Sequence, residues 1–139
     1  MKKIIITFTI ALFAITFSNN AFAQCDSIAT MCVKHMTAKY ISDGQQYRAL
    51  LLDQETAEFN ATFYGNTTYR LAACSGKSDG NLVFTIFDKE KNVLFTNKDY
   101  QNAPYWDFKV TNTLDCSIEA QLNSTLSSGC AVLLISFKQ

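Results

Sequence analysis

The sequence predicts a mainly β protein: an eight-stranded antiparallel β-sandwich of jelly-roll type with one N-terminal helix packed on it. Three observations lead there. From Gln45 onward, short segments of alternating apolar and polar residues recur, with turn residues every 8 to 12 positions. Before them lies one stretch with helical spacing, and before that an apolar leader. The 139 residues and 48% hydrophobic content suit one domain with one core and exclude a wholly disordered chain.

The leader comes first. Lys2 and Lys3 precede an apolar run over residues 4–17, and Ala21-Phe22-Ala23 supplies a small-x-small cleavage signal. This is the pattern of a secretory signal peptide. The run falls short of the ~20 residues that span a bilayer. Cys25 follows closely, as in a lipoprotein, but Gln24 stands before it where lipid-modified proteins place a small residue. Cleavage is therefore expected between Ala23 and Gln24. That divides the chain into a signal peptide (1–23), a helix and connection (24–44) and a sandwich domain (45–139). Export through the Sec pathway to the periplasm or the medium follows, and with it an oxidising environment for cysteine. The exported part keeps ten basic and twelve acidic residues, without the basic excess of a nucleic-acid binder.

Asp26 or Ser27 is positioned to cap a helix running to about Tyr40, with Ile28, Met31, Cys32, Met36 and Tyr40 on one face. Asp43-Gly44 breaks that pattern. Strands are expected over residues 46–52, 57–63, 68–74, 82–87, 93–97, 105–110, 116–122 and 130–137. Gly65-Asn66, Ser78-Asp79-Gly80, Asn102-Ala103-Pro104 and Ser127-Ser128-Gly129 mark turns between them. Residues 88–92 read as a polar hairpin loop with Asn92 suited to positive φ. In the sixth strand Trp106, Phe108 and Val110 share the core face, leaving Tyr105, Asp107 and Lys109 on the other. The last strand is apolar on both faces, so it needs cover on both sides. Only the helix has a spare apolar stripe to supply the outer cover.

The succession Tyr69-Arg70-Leu71-Ala72-Ala73-Cys74, Val83-Phe84-Thr85-Ile86-Phe87-Asp88 and Leu94-Phe95-Thr96-Asn97 continues through Tyr105-Trp106-Asp107-Phe108-Lys109 to the final apolar run from Gly129 to Ile135. It resembles small exported bacterial β-sandwich proteins that are similar to the bacterial pre-peptidase C-terminal domain. The similarity covers residues 46–138 and rests on strand motifs. What the resemblance implies is a jelly-roll-like, non-catalytic accessory domain with no active-site residue. The acidic cluster that holds calcium in some such domains has no counterpart here.

The jelly-roll reading also bears on the five cysteines. It places the strand ending at Cys74 beside the last strand, which starts at Cys130, with both side chains toward the helix. A Cys74–Cys130 disulfide is therefore expected, with Cys25, Cys32 and Cys116 supplying at most one further bond. Cys116 is assigned to a hairpin with the last strand, in a register that puts it opposite about Ser136.

Among motifs for catalysis there is no Walker A, H-E-x-x-H, dinucleotide or C-x-x-C sequence. Cys32-x-x-His35 places two metal-type ligands on one helix face, but a zinc site wants four with paired spacing. Neither a metal nor a cofactor is expected. Asp53, Glu55 and Glu58 read as a solvated hairpin, not as a glycosidase pair. The sequons beginning at Asn60, Asn66 and Asn123 read as polar strand ends. Asp26-Ser27-Ile28 matches a bacterial O-glycan acceptor pattern that is short enough to arise by chance.

One positive hint remains. Tyr100, Tyr105, Trp106 and Asp107 lie close in sequence, and flat aromatic faces beside polar groups stack on sugars or on peptide aromatics. Two functions follow: a non-catalytic exported domain that binds an unknown protein partner, or a carbohydrate- or small-ligand-binding module built on the Tyr100–Trp106 loop. The first is preferred, because Trp106 shares its face with core residues. The second requires Tyr105 and Trp106 to form one exposed platform. For processing, mass spectrometry of the exported protein is expected to find Gln24, or its pyroglutamate, at the N-terminus. A diacylglyceryl group on Cys25 would exclude this cleavage.

Overall fold

A computed structural model describes residues 20–123 and 125–138; the leader run at 4–17 lies outside the described residues. Helix α1 (Asn20–Cys32) passes into a 3₁₀ turn (Val33–His35). The strands follow as β1 (Ile41–Leu52), β2 (Thr56–Phe63), β3 (Thr67–Cys74), β4 (Leu82–Phe87), β5 (Val93–Thr96), β6 (Tyr105–Val110), β7 (Leu114–Leu122) and β8 (Ser128–Lys138). A second 3₁₀ turn (Asn97–Tyr100) lies between β5 and β6. Two four-stranded sheets stack, in the orders β1-β8-β3-β6 and β2-β7-β4-β5, and every pair is antiparallel. This is the double-sheet jelly roll.

The alternation of each strand builds the core. Leu71, Leu133, Ile135 and Val110 of the first sheet meet Phe63, Phe84, Ile86 and Ile118 of the second. Trp106 and Phe108 pack against this cluster, as the period of two requires. The outer face of the first sheet carries a second apolar cluster, in which Ala72, Cys130, Val132 and Leu134 lie beneath Cys25, Ile28, Ala29 and Cys32 of α1. β8 is thus buried on both faces, from Cys130 to Ser136. Burial of Ile28 alone contributes roughly 1.5–3 kcal/mol toward holding the helix there.

The expected disulfide does not form. Cys25 bonds Cys130 and Cys32 bonds Cys74, with Cα–Cα distances of 5.3 and 5.8 Å. The adjacency behind the expectation is present, since β3 pairs with β8 and both cysteines face the helix. The register is what defeats it. Cys74 stands opposite Val132, which makes Cys130 its diagonal neighbour. Diagonal residues stand ~7–8 Å apart, beyond the usual ~4.4–6.8 Å for a disulfide. Cys25 and Cys32, seven apart, lie on one helical face and meet one strand each.

Four further expectations are corrected. α1 ends at Cys32 instead of about Tyr40. The His35 carbonyl is taken by Arg70 Nη1 at 2.9 Å, and Met36 is already extended. β7 and β8 form no hairpin: β7 lies between β2 and β4 in one sheet, β8 between β1 and β3 in the other. In the β4–β5 loop, positive φ falls on Lys91, while Asn92 holds the turn by donating to Asp88. β1 also begins earlier than expected. Asp43-Gly44 sits inside it, where Ser42↔Ser136 is followed by Gln46↔Leu134, so three residues of β1 oppose one of β8. The turn residues mark a bulge.

Peptide mapping without reduction is expected to yield the Cys25–Cys130 and Cys32–Cys74 peptides. Replacing Cys32 and Cys74 together by serine should lower unfolding free energy by roughly 2–4 kcal/mol while leaving the sandwich folded.

Candidate functional site

The strand β6 separates the residues that the sequence grouped. Trp106 faces the core, whereas Tyr105 and Asp107 face outward on the helix side. Tyr105 and Trp106 therefore make no common platform.

The inward group forms an aromatic stack. Trp106 lies 4.6 Å from Phe95 and 4.4 Å from Tyr100, centroid to centroid, and Phe95 lies 5.5 Å from Tyr100. Asn97 holds the turn that presents Tyr100. Fully buried, its Oδ1 accepts from Phe84 N–H at 2.9 Å, and its Nδ2 donates to the carbonyls of Leu82 and Ala103. A buried amide with every group used fixes the loop firmly. The stack borders an apolar groove of about 470 Å³ at the β5/β6 edge, lined by Leu94, Phe95, Trp106, Phe108, Leu114 and Cys116. Leu94 in its wall and Tyr100 beside it remain exposed.

The outward group is organised by Arg70, a buried guanidinium in the middle of β3. Nε donates to Asp107 Oδ1 at 2.6 Å and Nη2 to Oδ2 at 2.7 Å, the two-pronged geometry that suits arginine and carboxylate. The rings of Tyr40 and Tyr105 lie 4.7 and 4.4 Å from the guanidinium carbon. Arg70 holds the Asp107 carboxyl below the usual carboxylate range. Burial, followed by the charge of Asp107, pushes the Tyr40 phenol up. Beside this cluster, His35 Nε2 pairs with Asp79 Oδ1 at 2.9 Å, and Lys34 reaches the same oxygen at 3.1 Å. Burial works to raise the Asp79 carboxyl, yet the bonds from His35 and Lys34 prevail and lower it. These contacts tie the α1–β1 connection to the loop after β3. Their role is to hold backbone, since each charged group already has a protein partner.

Of the three acidic residues considered for catalysis, Glu55 and Glu58 are likewise engaged. Glu55 Oε2 accepts from Leu52 N–H at 2.8 Å, and Glu58 pairs with Lys91 at 3.1 Å. Lys89 meets Asp115 at 2.7 Å, so the β4–β5 loop folds over the outer face of the second sheet. Cys32 is spent in a disulfide and unavailable to a metal beside His35. Among the described residues no group of three or more metal-type ligands occurs.

Sequence reasoning missed one concavity. A cleft of about 600 Å³ opens at the β1/β2 edge, where the β1 bulge carries Asp43 and Gln45 out beside Tyr47, Asn60, Tyr64 and Tyr69. Its signal was the Asp43-Gly44 pair, read as a helix-ending turn.

No family model matches the chain, and no curated protein matches it. Among solved structures it is similar to PliG of Aeromonas hydrophila, a periplasmic lysozyme inhibitor of g-type lysozyme. The TM-score is 0.52 with 13% identity, over 70% of this chain and 91% of that one. At that identity the likeness concerns the fold.

The Arg70–Asp107 pair has a definite pH signature. The folded pKa of Asp107 lies below its ordinary value of 3.8. Its stabilisation is therefore complete above that value and is lost as pH falls through the depressed folded pKa. Asp107→Asn should destabilise by about 1–3 kcal/mol at neutral pH, because it leaves Arg70 without its ionic partner. Urea midpoints taken from neutral pH down to about pH 2 should show this gap constant at first and closing only below the ordinary carboxylate range. A gap that persists undiminished in acid would rule out the ion pair as its source.

Proposed function

We propose that the chain is a non-catalytic, exported accessory domain that acts by binding another protein in the periplasm or outside the cell. The observation that carries this reading is the shared sandwich fold with a periplasmic protein whose named role is to inhibit a lysozyme. Two disulfides clamping an N-terminal helix accord with export to an oxidising compartment, as does the secretory leader of the sequence. The resemblance to pre-peptidase C-terminal domains leads to the same class of role. Leu94 and Tyr100, exposed beside the apolar groove at the β5/β6 edge, are side chains of the kind that protein-binding surfaces use. A sugar-stacking role for Tyr105 with Trp106 loses its basis, because β6 turns them to opposite faces.

The test is capture. The exported protein, immobilised with its disulfides intact, is expected to retain one defined protein from envelope or medium fractions. A g-type lysozyme is the first candidate, to be assayed for loss of peptidoglycan hydrolysis on titration. Retention of no protein, together with hydrolytic turnover by the domain itself, would reverse the assignment.

A further inference from the structure

The cleft at the β1/β2 edge is a built concavity that the fold alone does not require. Three β1 residues against one of β8 push the chain outward between Ser42 and Gln46. Ser42 Oγ accepts from Gly44 N–H at 3.1 Å, and Asp43 Oδ1 accepts from Gln45 N–H at 2.8 Å. Gly44 takes a φ of +82°, a conformation that glycine adopts without strain. These bonds fix Asp43 through one oxygen and leave Oδ2 without a protein donor among the described residues. The carboxylate is half-buried, and burial pushes its pKa up.

The remaining walls define the ligand. Ala61, Phe63, Ile135 and Phe137 supply apolar lining, and Gln45, Asn60, Thr62 and Thr67 supply neutral polar groups. Tyr47 and Tyr64 line the sides, the second 65% exposed. Among the lining residues Asp43 alone carries charge at neutral pH, and no lysine or arginine contributes. A half-desolvated carboxylate favours a cation. Tyrosine rings beside apolar and neutral polar groups favour a flat and weakly hydrated one with several N–H donors, which is a guanidinium in preference to an ammonium. A single carboxylate is too few for a divalent metal, and a neutral sugar would leave the charge unmatched. The volume of about 600 Å³ lies within the range of small binding sites.

We infer that this cleft is the receptor for an arginine side chain of the protein partner, whose guanidinium bonds Asp43 and lies against Tyr47 and Tyr64. The inference rests on the protein-binding reading above and gives it a surface and a partner chemistry. Partner recognition then centres on the β1/β2 edge, with Asp43 as its charged anchor.

The probe is N-acetyl-arginine amide, titrated at low ionic strength into the isotopically labelled exported protein and followed by heteronuclear NMR. N-acetyl-citrulline amide, which has nearly the same shape without the charge, serves as the control. The expected result is arginine-specific shifts at the amides of residues 43–47 and 60–64, with affinity reduced about tenfold in Asp43→Asn and clearly reduced in Tyr64→Ala. Both side chains lie outside the core, and the unchanged remainder of each variant's spectrum reports that it folds. Equal shifts with citrulline or with a neutral methyl glycoside, arginine shifts located elsewhere, or no shift at all would overturn the inference. Capture separates the two levels. Undiminished partner retention by Asp43→Asn would remove the cleft from recognition and leave the protein-binding reading standing. Retention of nothing by the wild type, with arginine seated in the cleft, would remove the partner reading and leave an arginine site.

Discussion

A central strand that is apolar on both faces leaves a β-sandwich unfinished until something covers its outer side. β8 is that strand here, and α1 is the cover. Cys25 and Cys32 sit about two turns apart, roughly 10 Å along the axis, so two bonds to two neighbouring strands fix both the position and the rotation of the helix. Everything after the helix depends on this placement. The chain leaves α1 beside β3, where Arg70 takes the His35 carbonyl, and it then passes Tyr40 over the guanidinium before β1 begins. A helix docked elsewhere would leave a buried positive charge with fewer partners and β1 with a different entry.

The strands were legible because each alternates and is bounded by residues that turn. β4 and β6 carry the bounds that the pattern gives, and the double coverage of β8 could be read from seven consecutive small or apolar positions. What was hidden is non-local. Arg70 and Asp107 stand 37 residues apart and meet only because β3 and β6 pair Arg70 directly opposite Asp107. The cysteine pairing turned on a two-residue diagonal that strand adjacency alone does not reveal. A short connection suggested a hairpin for β7 and β8, whereas the jelly roll crosses from one sheet to the other there. The aromatic site was readable in part: the period of two already put Tyr105 and Trp106 on opposite faces, and proximity in sequence was the misleading signal. Asp43-Gly44 shows how the same dipeptide that ends a helix also bends a strand.

The two sheets meet face to face and leave two lateral edges, each ending in a concavity of its own character. At the β5/β6 edge the gap is apolar and walled by rings; at the β1/β2 edge it is polar and carries one charge. Free edges invite unwanted pairing with other strands, and this chain blunts them by simple means. β5 is only four residues long, Pro104 stands immediately before β6, and the bulge distorts β1. The distortion that protects β1 is also what shapes the cleft beside it.

The fifth cysteine has a different neighbourhood from the other four. Cys116 is buried between the sheets, whereas both disulfides lie beyond the first sheet, under α1. Burial, with help from the charges of Asp115 and Asp88, pushes its pKa up to about 11. Exchange between sulfurs needs a thiolate in line with the bond it attacks. Here the thiol is kept protonated, and a full layer of sheet stands between it and either target. An odd cysteine ordinarily threatens scrambling in an oxidising compartment. In this fold the first sheet acts as a partition, so once the sandwich has closed, the bonds made to the helix are insulated from the one sulfur able to undo them.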